Sequence, residues 1–262
     1  MAEYSSIEWT ETTWNPVTGC SPVSDGCKHC YAYRMAKRLQ AMGNKRYING
    51  FEVTLHEDLV NLPKNWKTPR KIFVNSMSDL FHENISEDFI QKIFSTISSS
   101  PHHTYQILTK RAERLTALAP NLLWPDNLWM GVTVESGKYS YRIDLLRMVP
   151  AAIRFVSVEP MIGPVQTLNL HGIDWVIVGG ESGPGARIIM NNWVEDVRDQ
   201  CVTTGVPFFF KQWGGFNKKK AGRLLNGREW NQYPMNPRKN LSNRAGLYCS
   251  ETEVSADVKI SR

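Results

Sequence analysis

No run of the sequence approaches the ~18 consecutive apolar residues that a membrane span needs. The opening residues, MAEYSSIEWT, lack a basic stretch followed by an apolar one, so no secretion signal is expected. Cysteine is scarce. Five in 262 residues are too few for a disulfide scaffold and point to a reducing, cytoplasmic compartment. A nucleophile elbow, a His-x-x-x-His pair and a phosphate-binding loop are also missing. His56, His82, His102, His103 and His171 are scattered without a motif. These absences leave little support for a hydrolase.

What is present is a globular balance, 42% hydrophobic and 21% charged, long enough for one large domain. The net charge of +6 is unevenly placed. From Gly215 to Arg262 ten Lys or Arg stand against four Asp or Glu, whereas residues 1–214 hold 21 of each sign. The expected organisation is a neutral domain over 1–214 and a basic extension over 215–262. A basic tail suits nucleic acid or another polyanion. Within it, Asn226-Gly227 signals a hairpin turn.

Six short apolar runs read as strands: KIFVNS (71–76), TYQILTK (104–110), LWMGVTV (128–134), IRFVSVEP (153–160), IDWVIVGGES (173–182) and PFFFKQWG (207–214). An earlier strand near IEWTETTW would make seven. Most are apolar nearly throughout, as in a parallel sheet buried on both faces. Helical patterns lie between them at 86–99, 111–119, 137–149 and around Trp193, Val194, Val197 and Cys201, where Asn192 reads as the cap. Repeated strand–helix units imply a parallel β/α architecture, as an open sheet, a partial barrel or a closed TIM-type barrel.

The strand ends carry the functional information. Each apolar run stops at its C-terminal end in polar or charged residues, and in β/α folds ligands bind at that edge. Lys110 and Arg111 are placed to meet a carboxylate or phosphate. Glu135, Glu159 and Glu181 end three strands and would share one mouth, so some should pair with Lys110, Arg187 or Lys211. Glu159, Glu181 and Lys211 are the candidates for the chemistry. Gly179 and Gly180 would let backbone approach a ligand such as adenine or ribose.

Three of the five cysteines, Cys20, Cys27 and Cys30, fall in TGCSPVSDGCKHC as C-x6-C-x2-C. Thiolates suit zinc or an iron–sulfur cluster. Structural zinc takes four protein ligands, and His29 would strain to share a metal with its neighbour Cys30. Cys201 reads as core filler, and Cys249 is isolated in the tail. Three cysteines suit a [4Fe–4S] cluster with one iron open. Zinc held by the three plus one further ligand is the alternative.

A three-cysteine loop ending in Cys-x-x-Cys and an aromatic, here Tyr31, placed after the first strand of a β/α chain, resembles the radical SAM superfamily. The common superfamily spacing is C-x3-C-x2-C, so the first gap here is longer. The chain is also similar, over nearly its full length, to a three-Cys-motif family of phage and prophage proteins. IEWTETTWNPVTGC, VNSMSDLFHE, FVSVEPMIGPV, IDWVIVGGESGPGAR and PFFFKQWG carry that similarity. The superfamily resemblance implies that Cys20, Cys27 and Cys30 ligate three irons and that the fourth binds S-adenosylmethionine (SAM). It places Ser76, Ser78 and Asp79 at the SAM amino group, where the superfamily has Gly-Gly-Glu. Lys110, Glu135, Gly179 and Gly180 would complete the cofactor's surroundings. An electron donor is implied too. The expected function is a radical SAM-type enzyme acting on a nucleic-acid or nucleotide substrate. The alternative is a zinc-stabilised nucleic-acid-binding protein without catalysis.

Overall fold

The computed structural model describes residue 5 and residues 7–235. The rest of the basic extension, Cys249 included, lies outside the described residues. Seven strands form one sheet in the order β1 (Thr12–Trp14), β4 (Lys71–Val74), β5 (Thr104–Thr109), β6 (Leu128–Thr133), β7 (Ile153–Val158), β8 (Trp175–Gly179) and β9 (Phe208–Gln212). All neighbours run parallel. The remaining two, β2 (Val17–Thr18) and β3 (Thr54–Leu55), pair antiparallel beside the sheet. β1 and β9 end the sheet without pairing to each other, so the fold is a half-barrel.

All six apolar runs and the stretch near IEWTETTW are strands. β6 and β8 are buried at every position, which is why they lack polar alternation. On the convex face Ile72, Val74, Tyr105 and Ile107 pack under the helices. On the concave face Phe73, Trp129, Phe155, Trp175 and Phe209 pack together. A half-barrel leaves that interior open at the side, and two flanking segments fill it. Trp9 packs 4.7 Å from Phe73, and Tyr233 5.1 Å from Trp175, measured between ring centroids.

Four α-helices lie between strands of the sheet: α2 (Glu87–Ser98), α3 (Ala112–Leu118), α4 (Tyr141–Arg147) and α5 (Asn191–Thr204). α2 has the clearest sequence logic. Ser86 accepts from the Phe89 amide at 3.3 Å, and Phe89, Ile90, Ile93, Phe94 and Ile97 form the buried stripe. Each such side chain stabilises the fold by about 2 kcal/mol. Two helix expectations are corrected. The 137–149 segment divides into a tight turn at Gly137–Tyr139 and α4. Asn192 is not a cap, because α5 already begins at Asn191 after an extended Met190 without a side-chain cap. Burial of Val194, Val197 and Cys201 sets its phase instead.

The Asn226-Gly227 signal is a real turn. Both residues have positive φ, 53° and 79°, and Leu225 bridges Arg228 antiparallel. The chain then returns along β9: the Phe210 amide donates to the Trp230 carbonyl at 2.9 Å and the Gln232 amide to Phe208 at 3.2 Å. This segment covers an otherwise open sheet edge. Among the described residues no helix is long and apolar enough to cross a membrane.

Candidate metal and ligand site

Cys20, Cys27 and Cys30 line one cavity of about 820 Å³. The loop that carries them lies across the C-terminal ends of the strands and is fastened there at several points. Ser24 donates to Glu135 beyond β6. The Asp25 amide and carboxylate meet the Tyr139 hydroxyl at 3.0 and 2.9 Å. Arg187 donates to the Asp25 carbonyl at 2.9 Å. The loop can sit this low because residue 26 is glycine: a Cβ there would lie 2.6 Å from the Glu135 side chain. Cys30 then opens α1 (Tyr31–Ala41), whose Arg34 amide donates to the Cys30 carbonyl at 3.3 Å.

Arg111 ties the first thiol to β5. Its guanidinium donates to Cys20 Sγ at 3.5 Å, Glu83 at 2.9 Å, Asp79 at 3.3 Å and Ser21 at 3.0 Å. Burial, joined by the Asp79 carboxylate, pushes the Cys20 thiol up to about 11 against the pull of Arg111. A bound metal centre would supply positive charge to hold the thiolate there. Cys201 is separate, fully buried in α5, where burial raises its thiol to about 12. Among the described residues, no three His, Cys, Asp or Glu side chains are drawn close enough to grip a single ion.

The three strand-end carboxylates each take a cation. Glu135 meets Lys110 at 3.1 Å and Arg142 at 2.9 Å; Glu159 meets Lys211 at 3.0 Å; Glu181 meets Arg187 at 2.6 Å. Burial pushes the Glu135 carboxyl up, but Lys110, the Ser24 hydroxyl and Arg142 outweigh it and hold it below the ordinary range. Arg187 does the same for Glu181 against its burial. Glu159 and Lys211 keep some exposure, and Glu159 also accepts from the Ser157 hydroxyl at 3.3 Å. Glu135 has none, and its partner Arg142 is almost as deep.

The Ser76–Asp79 turn is committed to protein partners. Asp79 accepts from Thr109 at 2.7 Å, the Lys110 amide at 3.0 Å and the Phe81 amide at 3.0 Å. Ser78 donates to Val17 at 2.9 Å and Ser76 to Asn15 at 3.1 Å, while Tyr31 donates to the Ser76 carbonyl. The space at Gly179 and Gly180 is also filled from within. A Cβ on Gly179 would meet Glu159 at 2.4 Å, and one on Gly180 the Trp213 carbonyl at 2.0 Å. Phe208, Phe209 and Phe210 belong to the core, so the aromatic–basic run at 208–216 presents only Phe216 strongly to solvent.

Sequence reasoning missed Arg142, Ser24 and Asn75. Arg142 looks like any helical surface charge. Asn75, just past β4, has a left-handed φ of 61° and a buried carboxamide with neither polar atom hydrogen-bonded. Its only signal was a non-glycine residue immediately after a strand.

The family profile described as Protein of unknown function (DUF5131) matches residues 4–234, and the chain belongs to that family. No curated protein matches the sequence. Among solved structures the fold is similar to spore photoproduct lyase complexed with dinucleoside spore photoproduct. That match has 10% identity, 71% of this chain, 59% of that chain and a TM-score of 0.39. A cysteine-to-serine mutant of the lyase matches at 12% identity over 95% of this chain and 76% of that one, with a TM-score of 0.45. A further mutant with AdoMet and dinucleoside spore photoproduct bound matches at 10% identity over 72% and 60%, with a TM-score of 0.40. This chain thus spans less than two thirds of the first of these structures.

Proposed function

We propose that the protein is a radical SAM-type iron–sulfur enzyme acting on a nucleotide or nucleic-acid substrate, with Cys20, Cys27 and Cys30 as the cluster ligands. The observation that carries the reading is that these thiols line one cavity, on a loop fastened across the C-terminal strand ends of a parallel half-barrel. The fit is one of donor chemistry and number: three soft ligands suit a [4Fe–4S] cluster with one open iron better than a four-ligand zinc site.

With SAM and one electron from a donor, such a cluster supplies cleavage of the sulfonium S–C5′ bond to methionine and a hydrogen-abstracting 5′-deoxyadenosyl radical. The chain's own part is holding, charge balance and exclusion of water. Arg111 offsets thiolate charge at Cys20. The loop's contacts to Glu135, Tyr139 and Arg187 close it over the mouth. Lys110 and Lys211, less buried than the carboxylates they pair with, can exchange those partners for a ligand carboxylate or phosphate. Glu159 and Lys211, of the candidates Glu159, Glu181 and Lys211, are our choice to handle a substrate proton because they keep some exposure, and Asn75 offers an unpaired carboxamide.

Anaerobic purification with iron and sulfide analysis, then an assay for 5′-deoxyadenosine from SAM after dithionite reduction, tests the reading. About four irons per chain, absorbance near ~400 nm and SAM cleavage are expected. Cys20→Ala, Cys27→Ala and Cys30→Ala should each lose the cluster, whereas Cys201→Ala should retain it. Stoichiometric zinc without cleavage would make the loop a structural clip.

A further inference from the structure

Residues 1–214 are neutral in sum but not in distribution. Between Gly26 and Phe51 there are six Lys or Arg and no Asp or Glu, so the rest of 1–214 is acidic by the same amount. The stretch comprises the end of the cysteine loop, α1 and the turn at Lys45–Tyr47.

α1 is barely attached to the core. It buries only Ala32 and Ala36, one narrow i, i+4 stripe, whereas α2 buries six side chains. Arg34, Leu39 and Gln40 are half-buried beside that stripe, and the opposite side points outward: Tyr31 is 52% exposed and Tyr33 50%, and Lys37 and Arg38 are exposed as well. Of the six cations, Arg46 is taken by Asp58 at 2.6 Å, and Arg34 donates to the Ser182 and Pro184 carbonyls. Among the described residues, Lys28, Lys37, Arg38 and Lys45 form no ion pair. Solvated helix faces normally mix signs, because like charges along one face repel. Here four uncompensated cations stand beside two half-exposed rings.

The position of this face supplies the second argument. Lys28 and Lys37 line the thiol cavity itself, together with Tyr33 and Phe51, whose rings meet edge to face with centroids 5.6 Å apart. A polyanion lying along α1 therefore reaches the rim of the proposed reaction site.

We propose that α1 and the adjoining cysteine loop form a binding face for single-stranded nucleic acid. Lys28, Lys37, Arg38 and Lys45 meet phosphates, Tyr31 and Tyr33 offer stacking surface to bases, and a base reaches the thiol-lined cavity past Tyr33 and Phe51. The proposal rests on the nucleic-acid part of the reading above and moves the contact from the C-terminal extension to α1. Stacking area decides in favour of nucleic acid over an acidic protein: cations alone serve either partner, but half-exposed rings beside a cavity suit unpaired bases.

The test is fluorescence anisotropy of the full-length protein with a labelled 12-nucleotide single-stranded DNA across a salt series. The K28Q/K37Q/R38Q variant should bind at least tenfold more weakly. Its slope of log K against log salt should be shallower by about 2, at ~0.7 for each phosphate no longer neutralised. K64Q/K67Q/K92Q removes the same charge elsewhere and should bind like wild type. Equal losses in both variants, or an unchanged slope in the first, would overturn the proposal. So would DNA binding that survives while reduction by flavodoxin is lost, which would assign the face to an acidic redox protein. Wild type that cleaves SAM yet ignores DNA would sink this proposal alone, leaving the cluster reading intact.

Discussion

Arg111 and Cys20 stand 91 residues apart in the chain, and the Arg111 guanidinium donates to the Cys20 sulfur across 3.5 Å. The contact joins the end of β5 to the cysteine loop and sets a positive charge against one proposed cluster ligand. Charge-assisted hydrogen bonds of this type are among the stronger contacts in proteins.

Arg111→Gln should therefore make the cluster harder to reduce, because the reduced form carries the extra negative charge. A loss of about 1 kcal/mol in that preference corresponds to roughly 40 mV for a one-electron couple. Redox titration followed by electron paramagnetic resonance reads it. An unchanged potential would reduce Arg111 to a structural clamp for Asp79 and Glu83.

Glu135 gives a pH prediction. Its folded carboxyl is held below the ordinary value of 4.5, so its pairing stabilises the fold above that pH. That contribution is lost as the pH falls through the depressed folded value. Glu135→Gln should cost about 3 kcal/mol at pH 7, since it leaves Arg142 buried without its anion. Urea unfolding at several pH values should also show a flatter acid limb in the variant. Parallel limbs for both proteins would disprove the coupling.

Gly180→Ala tests whether that glycine serves the fold. Its Cβ would lie 2.0 Å from the Trp213 carbonyl, which is backbone and cannot swing aside. A loss of roughly 3 kcal/mol and a lower Tm are expected, within the range for steric conflict in a packed core. Wild-type stability would mean that the loops after β8 and β9 separate freely, leaving space for a ligand.

Much of the fold was legible in the sequence because buried parallel strands are written as continuous apolar runs. KIFV, TYQILT and WVIVG have no other reading of comparable length, and the Ile and Phe spacing of α2 has a single helical phase. The tight turn before α4 and the start of α5 were not legible, since tertiary packing rather than a local cap fixed them. The three-cysteine loop was visible from spacing alone. The need for Glu135, Glu159 and Glu181 to find cations followed from charge, with Lys110, Lys211 and Arg187 as candidates.

What the sequence by itself determined was local: strand and helix periods, the soft-ligand chemistry of Cys20, Cys27 and Cys30, and polar residues at every strand end. What only the tertiary structure decided was which distant groups meet. Arg111 at Cys20, Gly26 pressed on Glu135 and the Trp213 backbone against Gly180 are contacts between separate loops, and Arg142 reaches Glu135 from α4. Their residues carry no periodic signal, because one polar side chain at one loop position repeats nothing. The closing of the sheet into a half-barrel brings the strand ends to one mouth, and that curvature is set by packing across the whole concave face.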